Sequence, residues 1–196
     1  MSQPAPMRVA DLVRADLFRY GADVSIKALC RHFLSTPGFK YTVWMRLAKG
    51  LRAQSVFLRP CYYVCRLLLR HCGVKYGISI PYNTAIGPGL YIGHYGGIVV
   101  NDQVSIGNDC NLNHGVTLGV KYGGKSPGVP ILGDRIFLGP GCVVIGGIRL
   151  GNDVAVGANA VVLESVEDSA VVAGIPGRVV SFGGSSHYVV NTARDR

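Results

Sequence analysis

Two histidines, His94 and His114, stand twenty residues apart, each two positions after an aliphatic residue, Ile92 and Leu112. An alcohol is a poor nucleophile until its proton is removed. An imidazole, with an ordinary pKa of about 6.5, is suited to remove it near neutral pH. The pair is therefore suited to general-base chemistry on a hydroxyl. A histidine-held metal centre needs three protein ligands and a water position. Only these two histidines lie among the repeats described next, so no metal is expected.

The elements that must carry them are written in the hydrophobic pattern. Aliphatic residues recur every six positions at Ile80, Ile86, Ile92 and Ile98, then at Val100, Ile106, Leu112 and Leu118. They recur again at Leu132, Leu138, Val144, Leu150, Val156 and Val162. Six is a multiple of two, so each repeat turns its aliphatic side chain to the same face of a strand. Self-similarity at this period predicts a mainly β fold, a parallel β-helix of hexapeptide repeats, behind an N-terminal α-helical segment. Turn-tolerant corners follow the strands at Gly107-Asn108-Asp109, Gly133-Asp134 and Gly151-Asn152-Asp153. Residues four places after the aliphatics, such as Cys110, Val116, Cys142 and Val154, are small enough for a narrow core. Roughly thirteen hexads at three per turn give a little over four coils. The phase slips by two residues between Ile98 and Val100. If that slip is a local bulge, His94 and His114 fall on consecutive coils about 4.8 Å apart and line one groove. An insertion from Val120 to Val129 also breaks the period and carries Lys121 and Lys125.

The chain divides at the start of the repeats. Residues 1–76 are helical and basic, with thirteen Lys/Arg against three Asp. Residues 77–182 form the prism and 183–196 a polar tail expected to be exposed. Helices are expected over about 8–20, 24–34, 39–53 and 56–72, with Ser35-Thr36-Pro37-Gly38 as a break. The stretch Val56 to Leu69 is apolar, with Arg59, Arg66 and Arg70 around it. Such a helix either packs on neighbouring protein or lies on an anionic membrane surface. The basic residues are spread over several helices without a binding motif, so nucleic acid is not expected. Six cysteines without a Cys-x-x-Cys pair, and no apolar leader, predict a reduced, cytoplasmic protein. It could stand at the inner face of the membrane.

Three segments resemble the hexapeptide acyltransferases, within them the serine-acetyltransferase-like group. They are Gly89 to Val99, His114 to Gly119, and the ending Val172-Ala173-Gly174-Ile175-Pro176-Gly177-Arg178. The resemblance covers about residues 76–182. It implies a left-handed β-helix, a homotrimer, and acetyl-CoA bound between neighbouring prisms. It also implies His94 as the general base in direct transfer, since cysteines at interior positions do not suit an acyl-enzyme. Backbone groups around Gly139, Pro140, Gly157 and Ala158 would hold CoA, and Arg178 would pair with a phosphate. Lys121 and Lys125 would approach the coenzyme from the inserted loop. His114 has no counterpart histidine in the serine enzymes; it is either a catalytic or acceptor-positioning residue or a structural one. The serine enzymes carry Asp where this chain has Gly93 and Ser79, and a second histidine where it has Gly128-Val129-Pro130. The acceptor expected from these departures is a saccharide hydroxyl, with serine as the alternative and a non-catalytic trimeric scaffold as a remote one.

Overall fold

The computed structural model describes residues 7–52 and 54–195. Among the described residues four α-helices precede the prism: α1 (Val9–Phe18), α2 (Ile26–Ser35), α3 (Pro37–Arg52) and α4 (Arg59–Tyr76). Ser25 caps α2 by accepting a hydrogen bond from the Ala28 amide at 3.1 Å. Pro37 opens α3 at a position where a missing amide proton costs nothing. A 3₁₀ turn, Val56–Leu58, leads into α4, which closes on Gly77 in the left-handed conformation (φ 63°). The first strand begins one residue later. No described helix is long and apolar enough to cross a membrane.

A buried ion pair fastens the helices to the first coil. Arg46 of α3 meets both carboxylate oxygens of Asp16 of α1 at 3.0 Å, and both side chains are almost wholly buried. The guanidinium also donates to the carbonyls of Ile86 and Gly87, and Asp16 accepts from the Leu90 amide. Every charged atom of the pair thus has a partner, the condition under which a buried pair is tolerated.

The prism has three faces. The first stacks Ile78–Ser79, Ile98–Val100, Thr117–Gly119, Val143–Ile145 and Val161–Val162. The second holds four strands, from Ala85–Ile86 to Arg149–Leu150. The third holds six, from Tyr91–Ile92 outward, the last of them Arg178–Ser181, paired antiparallel. The other strands described pair in parallel, in registers such as Ile92↔Leu112↔Leu138 and Val100↔Leu118↔Val144. The six-residue aliphatics point inward and are buried throughout, together with Cys110, Val116, Cys142 and Val154. Between the second and third faces the corners are tied by a side-chain ladder. The Asn108 amide donates to Asp134, the Asp134 amide to Asn152, and the Asn152 amide to Asp168, at 2.7–2.9 Å.

One expectation needs correction and another a qualification. The two-residue slip does not lie between Ile98 and Val100, where the strand pairs continuously on both sides. It is taken up in the turn 93–97, which is longer than the corresponding turn after Leu112 and ends on Gly97 (φ 66°). The tail is exposed over most of its described residues, as expected, but it is anchored on the prism at a few points. Ser185, Val189 and Thr192 are buried, and Tyr188 stacks on Phe137 with ring centroids 4.3 Å apart. Ser185 donates to the Arg135 carbonyl, and the Ala193 amide donates to Asp109.

Candidate active site

The edge between the third and first faces carries both histidines. His114 follows the strand Asn111–Leu112, and His94 follows Tyr91–Ile92 in the coil before it. Their rings meet edge to face, with centroids 6.0 Å apart and planes at 88°, and both residues are exposed on the outside of the prism. The expectation that spacing brings them to one groove therefore holds. The alignment has one refinement. The Gly115 amide donates to the Gly96 carbonyl and the Gly141 amide to the His114 carbonyl, so the corner column runs Gly96, His114, Pro140. His94 rides in the extra turn beside this column. Neither imidazole has a hydrogen-bond partner among the described residues. Ser79, which stands where the serine enzymes carry an aspartate, lines a cleft of ≈ 700 Å³ between α4 and the first coil.

The turn bearing His94 is held from behind by the helices. The Tyr20 hydroxyl accepts from the Ile92 amide at 3.1 Å and donates to its carbonyl at 3.3 Å. Gly38 lets α3 lie directly on the same strand, because a Cβ there would come within 2.7 Å of the Ile92 Cβ. Tyr76, at the end of α4, packs edge to face on Tyr95 at 5.4 Å. Arg19 ties the coil that carries His114, donating to the Asn111 side chain, the Gly89 carbonyl and the Val190 carbonyl. These supports were missed in the sequence. Tyr20 and Arg19 fall at the end of an expected helix with no motif to mark them, and Gly38 reads only as a breaker, because their partners lie far away along the chain.

Gly93, immediately before His94, has its own reason. A Cβ there would stand 2.7 Å from the Tyr91 ring and 3.0 Å from its hydroxyl oxygen. That ring is backed by Tyr20, centroids 4.6 Å apart, and by the Arg19 guanidinium at 5.8 Å. A side chain at position 93 must therefore displace a braced aromatic.

Among the expected coenzyme contacts, Gly139-Pro140 and Gly157-Ala158 do continue the histidine edge. The Asn159 amide donates to the Pro140 carbonyl at 2.8 Å, one coil beyond His114. Arg178 begins the antiparallel strand at the far end of the same face, and its guanidinium reaches the Gly177 carbonyl. Lys121 and Lys125 are not brought to this edge within one chain. Their loop leaves the first face at its opposite edge, Lys121 pairing with Gly128. The Lys121 ammonium folds back onto the Lys125 carbonyl at 2.7 Å. Cys110 and Cys142 are wholly buried, and burial pushes both thiols up to about 12. Neither forms a ready thiolate. Among the described residues no cluster of three or more His, Cys, Asp or Glu side chains could hold a metal.

Comparison with known proteins completes the picture. No protein-family model matches the sequence. The chain is 42% identical over 147 residues to serine acetyltransferase of Mycobacterium tuberculosis, covering 74% of this chain and 61% of that protein. It therefore spans less than two thirds of that relative. It is 35% identical over 145 residues to the Helicobacter pylori serine acetyltransferase, covering 74% of this chain and 82% of the relative. Among solved structures, Neisseria gonorrhoeae serine acetyltransferase in complex with serine superposes with a TM-score of 0.70 at 28% identity, over 87% of this chain and 68% of that one. A serine acetyltransferase complex with CoA superposes at 0.69, with 26% identity, over 88% of this chain and 69% of that one. The stacked hexapeptide coils are thus the left-handed β-helix of the hexapeptide-repeat acyltransferases. Within that class, the chain belongs to the serine acetyltransferase family.

Proposed function

We propose that this chain transfers the acetyl group of acetyl-CoA to the hydroxyl of serine, with His94 as general base. The observation that carries the reading is the pair of exposed imidazoles meeting edge to face at one corner of the prism. In the reaction, His94 takes the proton of the acceptor hydroxyl as its oxygen attacks the thioester carbonyl. The tetrahedral intermediate collapses, the carbon–sulfur bond breaks, and the CoA thiolate receives the proton from the imidazolium. No acyl-enzyme is needed, in keeping with the two deeply buried thiols. His114 serves as the positioning residue, its ring fixing the tilt of His94 in place of an aspartate.

The column Pro140 and Ala158 would take the pantetheine arm through backbone groups, and Arg178 would meet a phosphate. The inserted loop lies at a different edge, so Lys125 reaches a histidine edge only from a second copy. This supports a homotrimer with coenzyme between prisms. The exposed apolar side chains of Val99, Ile131 and Leu163 on the prism are in keeping with such contacts. Six unpaired cysteines support a reducing compartment such as the cytoplasm.

The relatives move the acceptor from a saccharide to serine, because those named above are serine enzymes. One observation favours the saccharide as a second reading: the braced Tyr91 leaves no room for an acidic side chain at position 93 to meet an ammonium group. The test follows free CoA thiol with acetyl-CoA and either serine or a panel of sugars. Thiol release with serine supports the first reading. Release with a sugar and none with serine overturns it in favour of the second, and release with neither favours a scaffold.

A further inference from the structure

We propose that the outer face of α4 and the 3₁₀ turn before it form a docking surface for an anionic lipid bilayer. The helix has two apolar stripes. Cys65, Leu69 and Cys72 face inward and are buried. Val64, Leu67 and Val74 recur at helical spacing on the other side and are 55%, 67% and 81% exposed, and Phe57 in the preceding turn is 87% exposed. An amphipathic surface helix needs only the first stripe to fold; the second is exposed among the described residues.

The charge around this second stripe selects the occupant. Arg59, Arg66, Arg70 and Lys75 flank it, all exposed. From Val24 to Asn101 the chain contains no acidic residue. A second copy laid on the same face would set arginine against arginine with no carboxylate to offset them. A bare polyanion would satisfy the arginines and leave Phe57, Leu67 and Val74 in water. An anionic membrane surface takes both: the apolar stripe enters the acyl boundary and the basic side chains stay at the headgroups. Tyr76 at the end of α4 touches Tyr95 in the turn of His94, so docking would hold the histidine edge close to the lipid surface.

The experiment is co-sedimentation of the full chain with phosphatidylcholine vesicles made with and without phosphatidylglycerol. Binding is expected only to the phosphatidylglycerol vesicles, falling with added salt. Replacing Arg59 and Arg70 with Gln should weaken it about thirtyfold, about fivefold for each arginine. Leu67→Ser with Val64→Ser should weaken it at least as much. Circular dichroism and gel filtration of these surface variants separate loss of binding from loss of fold. The proposal is overturned by absence of binding to either vesicle, or by equal binding to neutral ones. It is also overturned if the Leu67→Ser variant changes only the oligomeric state, which would assign the face to a second copy. Tight binding to heparin that the same variant leaves untouched, without vesicle binding, would assign it to a polyanion.

Discussion

An imidazole can act as a base only within reach of the proton it takes, and this protein sets two of them on one exposed edge. His94 and His114 come from consecutive coils and meet at 88°. The spacing in the sequence was enough to bring them together, because the period of the prism converts residue number into height along its edge. What surrounds them was not legible. Gly93 reads as a missing aspartate, whereas in three dimensions it is the space that Tyr91 occupies. Gly93→Asp is therefore expected to lower stability by about 1–3 kcal/mol by overpacking, and Tyr91→Ser in the same chain to recover most of that loss. Denaturant unfolding of the two single variants and the double variant measures the coupling; strict additivity would contradict it. The buried thiols make a second residue-scale prediction. Cys110 and Cys142 are raised by burial from 9.0 to about 12, so the folded state disfavours their thiolates. Their contribution to stability is intact below pH 9 and is lost as pH rises from there toward 12. In native alkylation, the exposed Cys30 and Cys61 should react first and Cys110 and Cys142 only on unfolding.

At the scale of elements, the hexapeptide strands and the four helices were readable because each follows a local period or a local break. The interactions joining them were not, since they link positions distant in the chain. Asp16 and Arg46 counted in the sequence only toward net charge, yet their buried pair binds α1 and α3 to the first coil. Asp16→Asn leaves Arg46 buried without a counter-charge and should cost about 3–5 kcal/mol, read as a fall in the denaturant midpoint. A loss within a few tenths of a kcal/mol would mean the pair adds nothing. The anchoring of the tail escaped for the same reason. Its Gly/Ser composition suggests exposure, which most of it has, but Ser185, Tyr188 and Ala193 find partners on the prism at Arg135, Phe137 and Asp109. The phase slip was visible as a change of count, but its place was not, because shifting two residues within a turn leaves the aliphatic pattern on either side unchanged.

At the scale of the whole molecule, the residues of the proposed site are divided between edges. The histidines, Pro140 and Ala158 share one corner, while the lysine-bearing loop stands at another. On the proposed reading a single prism would present the base, and a neighbouring prism would complete the coenzyme seam. The family and the solved neighbours agree with that chemistry, and the helices behind the histidine turn explain how an exposed pair keeps its geometry. The most direct measurement is the steady-state release of CoA thiol from acetyl-CoA with serine, comparing the unaltered chain with His94→Ala shown to be folded by circular dichroism. The expected result is turnover by the first and a loss of about a hundredfold to ten-thousandfold in kcat for the second. Turnover by His94→Ala equal to that of the unaltered chain would contradict the assignment of the base.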